Sequence, residues 1–173
     1  GLAFSHDVEN KESTTGLPIE DFEPPELIIP LRQGFGEACA PVVEPGQTIK
    51  AGELVGRPLD DRAVPVHSGV SGRVTSLEER PTAAGNCLCV VVRNDGNGTK
   101  APPLPPVQGT QGLTGLMRDA GLCGMGGAGF PTFLKYATDQ TIRHILINGC
   151  ECEPYLTCDH ALMLREAEKI LTG

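Results

Sequence analysis

The chain has 173 residues, room for one ordinary domain or two small ones, and is 39% hydrophobic but only 4% aromatic. Its 14 basic and 22 acidic residues give a net charge of −8, which repels phosphate backbones at long range and argues against nucleic acid as a partner. No run of 18 apolar residues exists and no basic stretch precedes an apolar one, so the expectation is a soluble chain with no direct membrane span. In chain order, residues 1–26 are polar, with Asp7, Glu9, Glu12, Glu20, Asp21 and Glu23 among few apolar residues, and are expected to form an extended arm. Residues 27–98 carry short β patterns at Leu27–Leu31, Val42–Val43, Glu53–Gly56, Val64–Val66, Gly72–Leu77 and Cys87–Val92. Turn dipeptides such as Pro45-Gly46 and Ser71-Gly72 separate them, the pattern of a small barrel or sandwich. Residues 99–112, with four prolines, read as a semi-rigid linker. From Leu113 the period becomes helical: Leu113, Leu116, Met117 and Ala120 share a face, and Gly121 provides the C-terminal cap. A helix is expected over 131–138, a buried strand over 142–147, and a final helix with Leu162, Leu164, Ala167, Ile170 and Leu171 as its apolar stripe. That succession over 113–173 predicts α/β structure with a mainly parallel sheet, and hence an α+β chain overall.

The seven cysteines are odd in number and none lies in a C-x-x-C pair, which reads as reduced thiols with no zinc-knuckle or ferredoxin signature. Cys87 and Cys89 share one face of a strand and are expected to pack as small apolar groups. Cys150, Cys152, Cys158 and His160 offer an alternative metal or cluster site, but their spacing matches no standard cage, and no metal ligand is assigned. His67 and His144 are read as structural.

Within the β region, Pro41–Gly56 and Val64–Val74 rhyme loosely. They resemble the barrel-sandwich hybrid of biotinyl and lipoyl carrier domains. Such carriers present a Lys at the hairpin tip between the two halves. Here the tip reads Arg57-Pro58-Leu59-Asp60-Asp61-Arg62, so a structural or docking role is expected and no covalent cofactor.

The densest chemical signal is the glycine loop Gly121–Lys135. Gly121, Gly124, Gly126, Gly127 and Gly129 permit positive φ and close approach to a ligand. Their N–H groups, the following helix start and Lys135 suit an anion such as the phosphate of a flavin or nucleotide; the alternative is an ordinary turn. The second signal, Asn148-Gly149-Cys150-Glu151-Cys152-Glu153-Pro154, follows the expected strand, where open α/β sheets place ligands. Asn148 suits a ring or ribitol oxygen, and Glu151 and Glu153 suit hydroxyls or an amide; the alternative is an acidic loop.

Together these motifs resemble the flavoprotein subunit family of respiratory complex I, with its G-x-G-G-A-G-F-P-T-x-x-K loop and N-x-x-E-x-E-P loop. The run Glu151–Asp159, with Asn10–Thr14, Ile29–Gln33 and Ala63–His67, is similar to the C-subunit family of Rnf ion-translocating electron transport complexes. The resemblance covers almost the whole chain and implies a barrel-sandwich hybrid domain followed by the first part (113–173) of a flavin- and NADH-binding α/β domain. It implies a larger protein that continues downstream to two [4Fe-4S] clusters. By position it assigns Gly124, Gly126, Gly127, Gly129, Lys135, Asn148 and Glu151 to FMN, and Phe130 and Glu153 to NADH. Met125, Cys150 and Tyr136 replace the family's frequent Arg, Asp and Trp. The implied role is electron entry into a membrane-bound NADH:ferredoxin oxidoreductase and translocase. The other Rnf subunits would be its partners, and its place the cytoplasmic face of the bacterial inner membrane. The cofactor would do the redox chemistry, with no side chain acting as nucleophile or base. The alternatives are a non-redox docking module, or the electron donor of a related reductase such as proline reductase.

Overall fold

The computed structural model describes residues 11–83, 85–125, 129–138, 140–151 and 153–172. The chain divides into two compact units, Glu23–Asp139 and Gln140–Gly173 together with the N-terminal segment to Phe22.

The first unit is built on seven antiparallel strands: β1 (Glu26–Pro30), β2 (Ala40–Pro41), β3 (Thr48–Ile49), β4 (Leu54–Arg57), β5 (Val66–His67), β6 (Gly72–Thr82) and β7 (Gly85–Asn94). One sheet runs β1-β7-β6-β3 and the other β2-β4-β5. Strand β7 lies between β1 and β6, so Val90 and Val92 have neighbours on both sides: Val90 faces Ile29 and Leu77, and Val92 faces Leu27 and Val74. Alternation does the rest. Ile29, Leu31, Val43, Ile49, Val55, Val66, Val74, Val90 and Val92 meet in one core between the sheets. An irregularity in β4 between Leu54 and Gly56 accompanies the full burial of Val55. Cys87 and Cys89 are buried in β7, as small packers should be.

The sandwich agrees with the sequence, but its details differ. Val42 and Val43 do not form a strand; the pairing residues are Ala40 and Pro41, and Val43 is buried from a loop. The two-residue strand β3 has no periodic signal at all. The hairpin β6–β7 outruns its core. Beyond Leu77 the β6 side turns polar, from Glu78 to Thr82, while Cys89 and Cys87 opposite it stay buried, and the register continues to Thr82 opposite Gly85.

Helix α1 (Gly109–Asp119) starts four residues before Leu113, inside the Pro-rich stretch. It ends on a complete Schellman motif, with Gly121 N–H donating to Arg118 O (2.9 Å), Leu122 N–H to Met117 O (3.1 Å), and Gly121 at φ +72°. Helix α2 is only Thr132–Tyr136, shorter than the expected 131–138.

In the second unit, a short 3-10 turn (Lys11–Ser13) lies with residues 140–172. The expected buried strand over 142–147 is a correction: the segment forms no ladder, and Ile147 is 86% exposed. An apolar run can be buried as a strand only where neighbouring strands take up its N–H and C=O groups, and among the described residues none does. The parallel sheet expected over 113–173 is accordingly not formed among them. The expected final helix is two short ones, α3 (Cys158–Arg165) and α4 (Ala167–Thr172), interrupted at Glu166, and its apolar stripe is not buried. No helix among the described residues is long and apolar enough to cross a membrane.

Candidate functional site

The glycine loop is a closed, hairpin-like structure. Cys123 bridges Pro131, Gly124 N–H donates to Phe130 O (2.9 Å), and Thr132 N–H donates to Leu122 O (3.0 Å). The returning arm docks on the segment after β1. Phe35 N–H donates to Gly129 O (3.1 Å), and the Phe35 and Phe130 rings meet at 5.7 Å and 48°. Gly129 sits at φ +65°, and a Cβ there would lie 2.5 Å from the Gly34 Cα; a Cβ on Gly34 would lie 2.6 Å from Gly129 O. The two glycines are therefore a close backbone contact. Gly121 is similarly spent, since a Cβ there would meet Pro65 O at 2.5 Å. These positions are glycine because of packing within the unit.

Gly124 is different: among the described residues, a Cβ there would meet nothing nearer than 3.7 Å. Met125, beside it, is 97% exposed. Gly126 and Gly127 lie outside the described residues. Lys135, in the last turn of α2, is exposed and forms no ion pair among the described residues. The chemistry of this side fits a phosphorylated ligand: a loop whose first arm faces solvent, followed within one short helix by an uncommitted ammonium.

The barrel tip is closed by its own carboxylate. Asp60 accepts N–H groups from Glu37 (2.9 Å), Arg62 (2.8 Å) and Ala63 (2.6 Å), which hold its carboxyl below the usual range.

In the other unit, the acidic loop is wired into α3. Asn148 Oδ1 accepts the Cys150 N–H (2.9 Å), an Asx turn that uses the carboxamide oxygen locally. Glu151 Oε1 accepts the Asp159 N–H (3.1 Å) and the Cys158 thiol (3.1 Å), and so caps α3. Thr157, at the N-cap position, makes no side-chain cap; its hydroxyl donates instead to Thr14 O (3.0 Å). Partial desolvation pushes the Glu151 carboxyl up, but the Asp159 N–H, the Cys158 thiol, Lys11 and the His160 N–H outweigh it and hold it low. The same hydrogen bond raises Cys158. Of the alternative set Cys150, Cys152, Cys158 and His160, Cys152 lies outside the described residues; the grouping with metal-ligand spacing among those described is Glu151, Cys158 and Asp159. Its internal hydrogen bonds account for it as a helix cap. Glu153 is exposed, and its carboxylate makes no ion pair or hydrogen bond among the described residues.

Thus Gly124, Gly129, Phe130 and Lys135 lie in the first unit, and Asn148, Glu151 and Glu153 in the second. Each group is coherent within its own unit. Sequence reasoning missed Gly34 and Phe35, whose contact with the loop carries no periodic signal. It also missed Lys11, whose ammonium reaches three backbone carbonyls of the acidic loop. One clue was available: Lys11 is the one lysine or arginine in an otherwise acidic stretch of 26 residues.

Residues 5–97 match the family described as the RnfC Barrel sandwich hybrid domain. The chain belongs to the RnfC family. Residues 117–173, which contain the glycine loop and the acidic loop, match the Nuo51 FMN-binding domain. This RnfC-family chain is 40% identical over 177 residues to the C subunit of the Na(+)-translocating ferredoxin:NAD(+) oxidoreductase complex of Acetobacterium woodii, covering 97% of this chain and 40% of that protein. It is 33% identical to the C subunit of the proton-translocating ferredoxin:NAD(+) oxidoreductase complex of Clostridium ljungdahlii, covering 97% and 39%. To the C subunit of the ion-translocating oxidoreductase complex of Pseudomonas aeruginosa it is 34% identical, covering 95% and 22%. The chain thus spans 40% or less of the length of these relatives.

Proposed function

We propose that this RnfC-family chain is the electron-entry region of a membrane-bound, ion-translocating NADH:ferredoxin oxidoreductase. It would act with other subunits of an Rnf complex, peripherally on the cytoplasmic side of the membrane. The observation that carries the reading is the exposed Lys135 ammonium, without an ion pair among the described residues, in the short helix that follows the glycine loop and within the segment that matches an FMN-binding domain. Lys135, Gly124 and the loop positions Gly126 and Gly127 would hold the FMN phosphate. By the family match, Asn148 and Glu151 would be FMN-binding positions, and Phe130 and Glu153 NADH-binding ones. When held by these residues, FMN would supply the chemistry that links two-electron and one-electron transfer. The side chains named here bind and orient; none needs to exchange a proton or form a bond.

A second reading has its own support. Gly121 and Gly129 are occupied by packing against Pro65 and Gly34, which is what a docking module with a structural glycine loop would need.

The test uses a protein of the relatives' full length that includes this segment. Lys135→Met is expected to weaken FMN retention by about tenfold or more through loss of a charge-assisted contact, with the protein still folded. Glu153→Gln is expected to leave FMN content unchanged and to impair NADH oxidation. If neither variant alters flavin content or NADH turnover, the loop is structural and the docking reading replaces this one.

A further inference from the structure

The N-terminal turn does something that neither the glycine loop nor the acidic loop explains. Lys11 is half-buried, whereas Lys50, Lys100, Lys135 and Lys169 are exposed. Its ammonium has three N–H donors, and they are directed to three carbonyls of one loop: Glu151 O (3.1 Å), Glu153 O (3.2 Å) and Leu156 O (3.3 Å). The neighbouring Thr14 hydroxyl donates to Tyr155 O (2.9 Å), and Thr157 returns its own hydroxyl to Thr14 O. The base of the clamp is itself fixed, because Lys11 O accepts from Thr14 N–H (3.2 Å), Thr15 N–H (2.8 Å) and the Thr15 hydroxyl (2.6 Å). Contacts between residues about 140 positions apart therefore hold Glu151 and the stretch 153–157 in place.

Carbonyl oxygens that converge on one point repel unless a cation sits among them. The ammonium supplies that charge, and its removal would leave three acceptors facing each other. The consequence reaches the side chains. With the backbone oxygens of Glu151, Glu153 and Leu156 turned to Lys11, the Glu151 carboxylate is left to cap α3, and the Glu153 carboxylate has no partner among the described residues.

We propose that Lys11 is a positioning residue: its ammonium sets the curl of the acidic loop and so the presentation of Glu153, and Thr14 locks the same curl from the side. As a role in ligand binding this rests on the proposed function; as a clamp on 151–157 it stands on the hydrogen bonds alone. The ligand served is the nicotinamide dinucleotide assigned to Glu153, and no contact between Lys11 and that ligand is implied.

The experiment sets the full-length protein against its Lys11→Met, Lys11→Arg and Thr14→Val variants. It measures amide hydrogen exchange across 151–157, bound FMN, and KM and kcat for NADH. The expected result for Lys11→Met is faster exchange in 151–157 and a KM raised by about tenfold, with a smaller change in kcat. Lys11→Arg keeps the charge but not the three-way geometry, and should recover part of both effects. Thr14→Val should shift both in the same direction by less. Unchanged exchange and unchanged KM in Lys11→Met, in a protein whose parent oxidises NADH, would overturn the clamp. Faster exchange with an unchanged KM would overturn the positioning role and leave an anchor. A parent protein that binds no FMN and oxidises no NADH would overturn the proposed function, and the positioning role with it, while exchange in 151–157 still decides the clamp.

Discussion

Val90-Val91-Val92 and Ile145-Leu146-Ile147 are apolar triplets of much the same composition, and their fates are opposite. The valines are fully buried, while Leu146 is 96% exposed. The valines belong to the part of β7 that has β1 on one side and β6 on the other, so each of the three has a strand partner on both sides. The triplet at 145–147 has no ladder among the described residues. Hydrophobicity supplies the drive to leave water, but an extended segment can follow it only where its backbone is also paired. Burial in this chain is thus decided by strand neighbours more than by side-chain character.

Two leucines put this contrast to the severest test. Leu31 is 1% exposed, and its N–H donates to Leu88 O. Leu31→Ala should destabilise the β unit by about 2–5 kcal/mol in denaturant unfolding, the range for a cavity left in a packed core. Leu146→Ala should change stability by no more than about 0.5 kcal/mol. Equal effects would mean that the segment at 142–147 is as well buried as the sandwich.

A smaller effect is expected where the glycine loop docks on the sandwich. Gly129→Ala places a Cβ at φ +65° and against the Gly34 Cα. The cost should be about 1–3 kcal/mol, with the Phe35 amide losing its protection from exchange. An unshifted Phe35 amide would show that the contact is not what requires glycine.

The smallest effect separates the two units by pH. Burial lowers the pKa of His67, so the unfolded state takes up its proton first. Stability of the β unit should be full above about pH 6.5 and fall as the pH drops below it. Glu151 is also held low, so its contribution to the α3 cap should be complete above about pH 4.3 and be lost only on stronger acidification. Between neutral pH and about pH 5.5, amide exchange corrected for its intrinsic pH dependence should therefore gain in the β unit and not in α3. His67→Gln should remove the change in the β unit, and Glu151→Gln the later loss in α3.

Alternating strands, the Schellman glycine at Gly121 and the two loop motifs were readable because each is a local pattern, set by the period of the backbone or by the need for positive φ. The strand reading of 142–147 failed for the complementary reason: an apolar run states a preference for burial and carries no information about what will cover it. Strands β2, β3 and β5 are two residues each and exist only because longer neighbours pair with them. Gly34 and Gly129 illustrate the same limit within the candidate site. In the sequence, glycine at 129 reads only in terms of a ligand, and the structure adds a reason the sequence does not carry: its backbone lies against Gly34, far earlier in the chain. Lys11 is the strongest case, since the three carbonyls it holds lie about 140 residues further along the chain. By itself, the sequence determined which segments alternate, where helices stop and which loops are rich in donors. Only the tertiary structure decided which of those groups are spent on the fold and which stay uncommitted among the described residues, because that depends on backbone groups brought together from distant parts of the chain.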